Sequence, residues 1–121
     1  GENVVVQANA KQLERALINL MRNAARYCQG VVRVQWHTNE RELHLSVEDD
    51  GPGVAPGKRE RIFEPFTRLD PSRSRDSGGV GLGLAIVKAV VNNHRATISV
   101  ADAELGGAKF LLKLPLNYTN V

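Results

Sequence analysis

The stretch SGGVGLGLAIVKAV, residues 77–90, constrains this chain more than any other. Gly79, Gly81 and Gly83 alternate with Val80 and Leu82, and an apolar helical pattern begins directly behind them. Glycines ahead of a helix let backbone approach a ligand closely, and the free N–H groups of a helix N-terminus favour an anion such as phosphate. Two common phosphate cradles do not fit. A Walker loop needs G-x-x-x-x-G-K-[ST], which this sequence lacks. A dinucleotide fingerprint needs a strand directly before the glycines, within a βαβ unit. Here a polar loop precedes the glycines, and the segments after the helix read as antiparallel strands. What remains is the backbone N–H groups of Gly81, Leu82 and Gly83 facing an anion. Taken alone, the stretch also reads as a flexible hinge.

The rest of the chain supplies the surrounding fold. Residues 3–8 are Val-rich and read as a strand. Asn9 is a good N-cap for a helix over AKQLERALINLMRNAARYC, where Leu13, Leu17, Leu20 and Ala24 fall at i, i+4, i+7 and i+11. VVRVQWHTNERELHLSVEDD reads as a hairpin with its turn near Asn39–Glu42, since Leu43, Leu45 and Val47 alternate with His44, Ser46 and Glu48. GPGVAPGKRERIF is a glycine-proline turn followed by a short helix. Residues 64–80 are polar, charged and rich in Gly, Pro and Ser, the composition of a lid or binding loop. A helix from about Gly81 to Asn93 and two strands joined through Gly106–Gly107 complete the order. The expected fold is α+β: a two-layer sandwich in which a mixed, mostly antiparallel sheet is covered on one face by three helices.

At 121 residues, 42% of them hydrophobic, the chain suits one domain around one core, spanning 1–121. Cys28 is the single cysteine, so no internal disulfide forms. The apolar runs are too short to span a bilayer. The net charge of +3, with a modest concentration of basic residues between Lys58 and Arg75, suits an anionic ligand. Three Phe, two Tyr and one Trp are too few and too scattered for base stacking, so no nucleic-acid partner is expected. The opening GENVVVQA reads as a strand already under way, and we expect a domain cut from a longer protein.

Two further groups of residues bear on a ligand. Asn19, Asn23 and Arg26 lie within roughly 60° of one another on the first helix, beside its apolar stripe. A neutral Asn offers an oxygen to a hard cation such as Mg²⁺, Arg26 reaches for phosphate, and Tyr27 can lie against a base. In EDDGPGV, Asp49 ends a strand and can accept from an exocyclic amine, while Gly51 and Gly53 allow close approach. Alone, the first group reads as satisfied structural amides and the second as an acidic turn.

Together, LERALINLMRNAARY, VEDDGPGV, RIFEPF and GGVGLGLAIVKAV resemble the asparagine box, first glycine box, phenylalanine box and second glycine box of sensor histidine kinases. The domain they resemble is the catalytic, ATP-binding one of the gyrase–Hsp90–histidine kinase–MutL superfamily, the Bergerat fold. The resemblance runs from about residue 3 to 115, and its details are closest to the RstB and PhoQ branch. It implies ATP and Mg²⁺ as the bound species. Asn23 would be the Mg²⁺ ligand, and Asn19 would meet the phosphates or a metal-bound water. Arg26 would meet phosphate, Tyr27 would stack on adenine and Asp49 would accept from its amino group, with Gly51 and Gly53 giving room. Phe63 and Phe66 would hold the lid. Gly79, Val80, Gly81, Leu82 and Gly83 would surround the phosphates, and Arg68 and Arg73 are candidate γ-phosphate contacts from the lid.

Relatives that hydrolyse ATP carry Glu where Asn19 stands, and an amide cannot take a proton from water at neutral pH. That favours phosphotransfer to an external acceptor over hydrolysis. The resemblance implies a histidine on a separate dimerisation domain of the same parent, then a response regulator. His37 and His44 read as polar-face strand residues and His94 as a helix-end residue, none in an acceptor context. The implied parent is a membrane-bound homodimer, with this part monomeric and cytoplasmic. A gyrase-like ATPase, a serine kinase of the anti-sigma-factor type and a non-catalytic module are the alternatives. Two positions depart from the pattern. Arg95 and Ala96 stand where Gly-Gly often follows His94, and Ala108 stands where a Thr hydroxyl often supports the adenine site.

Overall fold

A computed structural model describes residues 9–65 and 83–116. The strand expected at 3–8 and the lid residues 66–80 lie outside them. Helix α1 (Ala10–Tyr27) starts where Asn9, in extended conformation, accepts the Gln12 N–H at 3.1 Å through its side chain. That contact satisfies one of the orphan donors of the first turn. Its buried stripe is Ala16, Leu20 and Ala24, and the two alanines let the neighbouring helix come close. The chain leaves α1 through Cys28, which is extended. The N–H groups of Gln29, Gly30 and Val31 then all donate to Asp50 Oδ1, at 2.7, 3.2 and 3.2 Å. This loop is therefore fastened to the end of the strand that carries the candidate acidic residues.

Strands β1 (Val32–Thr38) and β2 (Glu42–Asp49) form the expected hairpin. Asn39 builds the turn, its Oδ1 accepting the N–H groups of Arg41 and Glu42, both at 2.8 Å. Between β2 and the next helix, the expected short helix is two single 3-10 turns, Pro56–Lys58 and Arg61–Phe63. Pro56 fixes φ and lacks an N–H while Gly57 resists helix propagation, so no α-helix elongates there. Helix α2 (Gly83–Asn93) and strands β3 (Thr97–Asp102) and β4 (Ala108–Pro115) follow.

The sheet order is β1-β2-β4-β3, and every described pairing is antiparallel. Val47, Phe110 and Val100 lie in one register row, with Leu45, Leu112 and Ile98 in the next. This face meets Leu20 and Ala24 of α1 and Val87 and Val91 of α2 in a single core. Strict alternation along β4 points Ala108, Phe110, Leu112 and Leu114 inward, as a period of two requires. On the outer face His37 and His44 stand directly opposite each other, ring centroids 4.7 Å apart. His94 instead joins the helices: its Nε2 accepts the Asn9 N–H at 3.0 Å, which leaves the proton on Nδ1, 2.8 Å from the Val90 carbonyl oxygen. Arg95 then adopts φ 54, the left-handed conformation glycine favours. Ala96 N–H reaches Val91 O and Arg95 N–H reaches Asn92 O, which is a Schellman ending without its glycine. Among the described residues no helix is long and apolar enough to cross a membrane.

Candidate functional site

A cavity of about 420 Å³ opens at the C-terminal ends of α1 and β2. Asn23 and Tyr27, one helical turn apart, form its α1 wall. Asp49 sits at the sheet end, and Ala108 and Phe110 come in from β4. The outer wall is the segment from Pro52 to Ile62, including Val54 and Lys58, and Leu84 of α2 closes one side. The lining is mostly apolar with a few polar groups, the pattern of a small-molecule site.

Asp49 is 2% exposed. Its Oδ1 accepts the N–H groups of Gly51 at 2.9 Å and Ala108 at 3.3 Å. None of the hydrogen bonds among the described residues falls on Oδ2, and no cation pairs with this carboxylate among them. The strand end is packed so closely that side chains are excluded around it. A Cβ on Gly107 would collide with Asp49 Oδ1, and one on Gly51 would collide with the Tyr27 carbonyl oxygen. Gly53 lines the cavity at φ 74.

The expected site residues divide into three groups. Asn23, Tyr27, Asp49 and Gly53 line one cavity, with Gly51 behind Asp49. Asn19 lies one turn earlier and lines a separate, more open hollow with Lys11, Arg15 and Arg22. Its Nδ2 donates to Arg15 O at 2.8 Å, and its Oδ1 faces α2, 3.1 Å from where a Cβ on Gly83 would stand. Arg26 is exposed on α1. Phe63 packs edge-on against Phe110, ring centroids 6.2 Å apart, beneath the cavity instead of in its lining. Phe66, Arg68, Arg73, Gly79, Val80, Gly81 and Leu82 lie outside the described residues.

Residues 8–118 match the family described as "Histidine kinase-, DNA gyrase B-, and HSP90-like ATPase". The chain belongs to that family. It is 51% identical over 104 residues to Sensor protein RstB of Escherichia coli (strain K12), covering 86% of this chain and 24% of RstB. Among solved structures, the mycobacterial sensor histidine kinase MprB superposes with a TM-score of 0.77 at 34% identity, covering 93% of this chain and 75% of that one. Full-length ShkA in complex with AMPPNP gives a TM-score of 0.74 at 35% identity, covering 87% and 21%. The chain thus spans 24% of the RstB length it matches.

An adenine nucleotide, the ligand of this ATP-binding family, can be set against the lining. Asp49 Oδ2 is an acceptor open to the cavity, where an exocyclic amine can supply the donor. The Asn23 side chain makes no hydrogen bond among the described residues, so its oxygen is available. Among the described residues no three His, Cys, Asp or Glu cluster as a metal site. A Mg²⁺ ion here would be held by Asn23, phosphate oxygens and water, a donor set that suits a hard, reluctantly dehydrated cation.

Several lining residues escaped the sequence reading. Phe110 showed only as a strand residue. Pro52, Val54, Lys58 and Ile62 showed only as turn and short helix, and Leu84 only as helix. Gly107 carried a signal, as half of a Gly-Gly pair, but its role depends on the crossing of β4 beside β2. Ala108, noted for its missing hydroxyl, contributes through its backbone N–H.

Proposed function

We propose that this chain binds ATP·Mg²⁺ and presents the γ-phosphate to a histidine on a separate dimerisation domain, as the catalytic part of a two-component sensor kinase. The observation that carries the reading is Asp49: a buried carboxylate, held by backbone N–H groups on one oxygen, open to an apolar cavity on the other. Its Oδ2 accepts from the adenine amino group, and guanine, with a carbonyl at that place, meets it acceptor to acceptor. Tyr27 and Ile62 border the ring, and Asn23 directs its oxygen to the phosphate side. Mg²⁺ bound there supplies neutralisation of the phosphate oxygens.

The residues present position and select; they do not activate water. Asn19 and Asn23 are amides without basic character near neutral pH, so hydrolysis is slow. Transfer needs the acceptor nitrogen in line with the γ-phosphorus: the N–P bond forms, the bond to the β,γ-bridging oxygen breaks, and ADP departs. The base that accepts the histidine proton comes from the dimerisation domain. A response regulator takes the phosphoryl group next, and the parent is an inner-membrane homodimer with this part in the cytoplasm. In the test, the chain is incubated with γ-labelled ATP, alone and with a helical fragment bearing the acceptor histidine. Label on the fragment and none on the chain alone is expected. Label on serine of another protein, or rapid phosphate release without acceptor, would refute the reading.

A further inference from the structure

The outer wall of the cavity, residues 52–62, contains no strand or α-helix, only two 3-10 turns. Ile62 inserts one end of it into the core. Val54 also packs against that core, and the segment's polar anchor is Arg59, whose side chain alone in it makes hydrogen bonds among the described residues. Arg59 Nε donates to the Val54 carbonyl oxygen at 3.0 Å, and Nη2 meets Asp102 Oδ1 at 2.8 Å. Val54 is a lining residue. Asp102 ends β3 and pairs in register with Ala108, whose N–H donates to Asp49. One guanidinium therefore links the wall to the strand pair that holds the buried carboxylate. Asp102 is 88% exposed at its side chain, and ion pairs of that kind contribute little stability. The planar guanidinium fork nonetheless holds two partners in a set geometry, which an ammonium does not.

We propose that Arg59 is a positioning residue that sets the spacing between the 52–62 wall and Asp49, and through it the affinity for the purine ring. The inference rests on the adenine-nucleotide reading. Arg59 acts through Val54 and touches no nucleotide atom. Its loss therefore weakens adenosine and ATP by the same factor, whereas a cation serving the phosphates would matter for ATP alone.

The test titrates the unmodified chain, Arg59→Ala, Arg59→Lys and Asp102→Asn with adenosine and with ATP·Mg²⁺, each well below its Tm, by ¹H–¹⁵N NMR. Arg59→Ala is expected to weaken both ligands about fivefold, the worth of one ordinary hydrogen bond, with the ATP-to-adenosine affinity ratio unchanged. Arg59→Lys should not restore affinity, and Asp102→Asn should act in the same direction by less. If Arg59→Ala does not fold, the other two variants carry the comparison. Unchanged affinities in folded variants with a lowered Tm would reduce Arg59 to a stabilising contact and overturn the proposal. Loss confined to ATP would overturn it in favour of a phosphate contact. An unmodified chain that binds neither ligand would overturn the nucleotide reading and this inference together.

Discussion

Glu48 and Asp49 are neighbours at the end of β2, 1% and 2% exposed, and they are satisfied in opposite ways. Glu48 points away from the helices, where Arg33 on β1 meets its Oε2 at 2.9 Å and Lys109 is its register partner on β4. The Arg33 hydrogen bond outweighs the opposing effect of burial and holds the Glu48 carboxyl below the usual carboxylate range. Asp49 points into the cavity, with backbone N–H groups on one oxygen and no cation among the described residues. Burying a carboxylate is costly unless it is paired or hydrogen-bonded. Glu48 is thus a completed structural contact, whereas Asp49 keeps an oxygen without a partner among the described residues on the side that faces the cavity. A polar residue buried at a strand end signals function by what remains unpaired, not by burial alone.

The largest expected effect removes the apolar floor beneath Asp49 and its cavity. Phe110→Ala should cost about 3–5 kcal/mol, the usual loss for a fully buried ring, read as a large fall in Tm. Asp49→Asn keeps an acceptor for Gly51 and Ala108 but places a donor toward the cavity. It should lower ATP affinity about 100-fold, by the loss of a charged hydrogen bond, while Tm moves little. A large fall in Tm with unchanged affinity would make Asp49 a structural residue like Glu48.

Glu48→Gln should do the reverse, lowering Tm at neutral pH with ATP affinity intact. Because its folded carboxyl titrates below the usual range, the stability it contributes is present above that range and lost as pH falls through the depressed value. The Tm gap between wild type and variant should therefore close on acidification, and a gap independent of pH would remove the Arg33 explanation. Arg95→Gly is the control distant from both carboxylates. It relieves a left-handed non-glycine residue and should add about 1 kcal/mol of stability without altering ATP affinity.

How far the chain was legible follows from which interactions are local. The α1 start at Asn9, the hairpin turn at Asn39 and the apolar face of α2 depend on neighbouring residues, and the sequence reading placed them. The Asn23–Tyr27 spacing and the Asp-Gly-Pro-Gly turn were legible for the same reason. The sequence of GPGVAPGKRERIF suggests a turn and then one short helix, yet Pro56 and Gly57 leave only two 3-10 turns. What could not be read was the sheet order. β4 lies between β2 and β3, and only that crossing brings Gly107 and Ala108 against Asp49, and Asp102 within reach of Arg59. The Asn19 side chain also turned away from the cavity, since its amide bonds back to its own helix at Arg15.

The central claim is that Asp49 and Asn23 together make an adenine-nucleotide site. It is tested most directly by calorimetry of this chain with ATP and with GTP, each in Mg²⁺ and again with chelator. The account predicts ATP binding strengthened by Mg²⁺ and GTP at least about tenfold weaker, the discrimination expected of one charged acceptor. Equal affinity for GTP and ATP would contradict the role given to Asp49, and ATP affinity indifferent to Mg²⁺ would contradict the role given to Asn23.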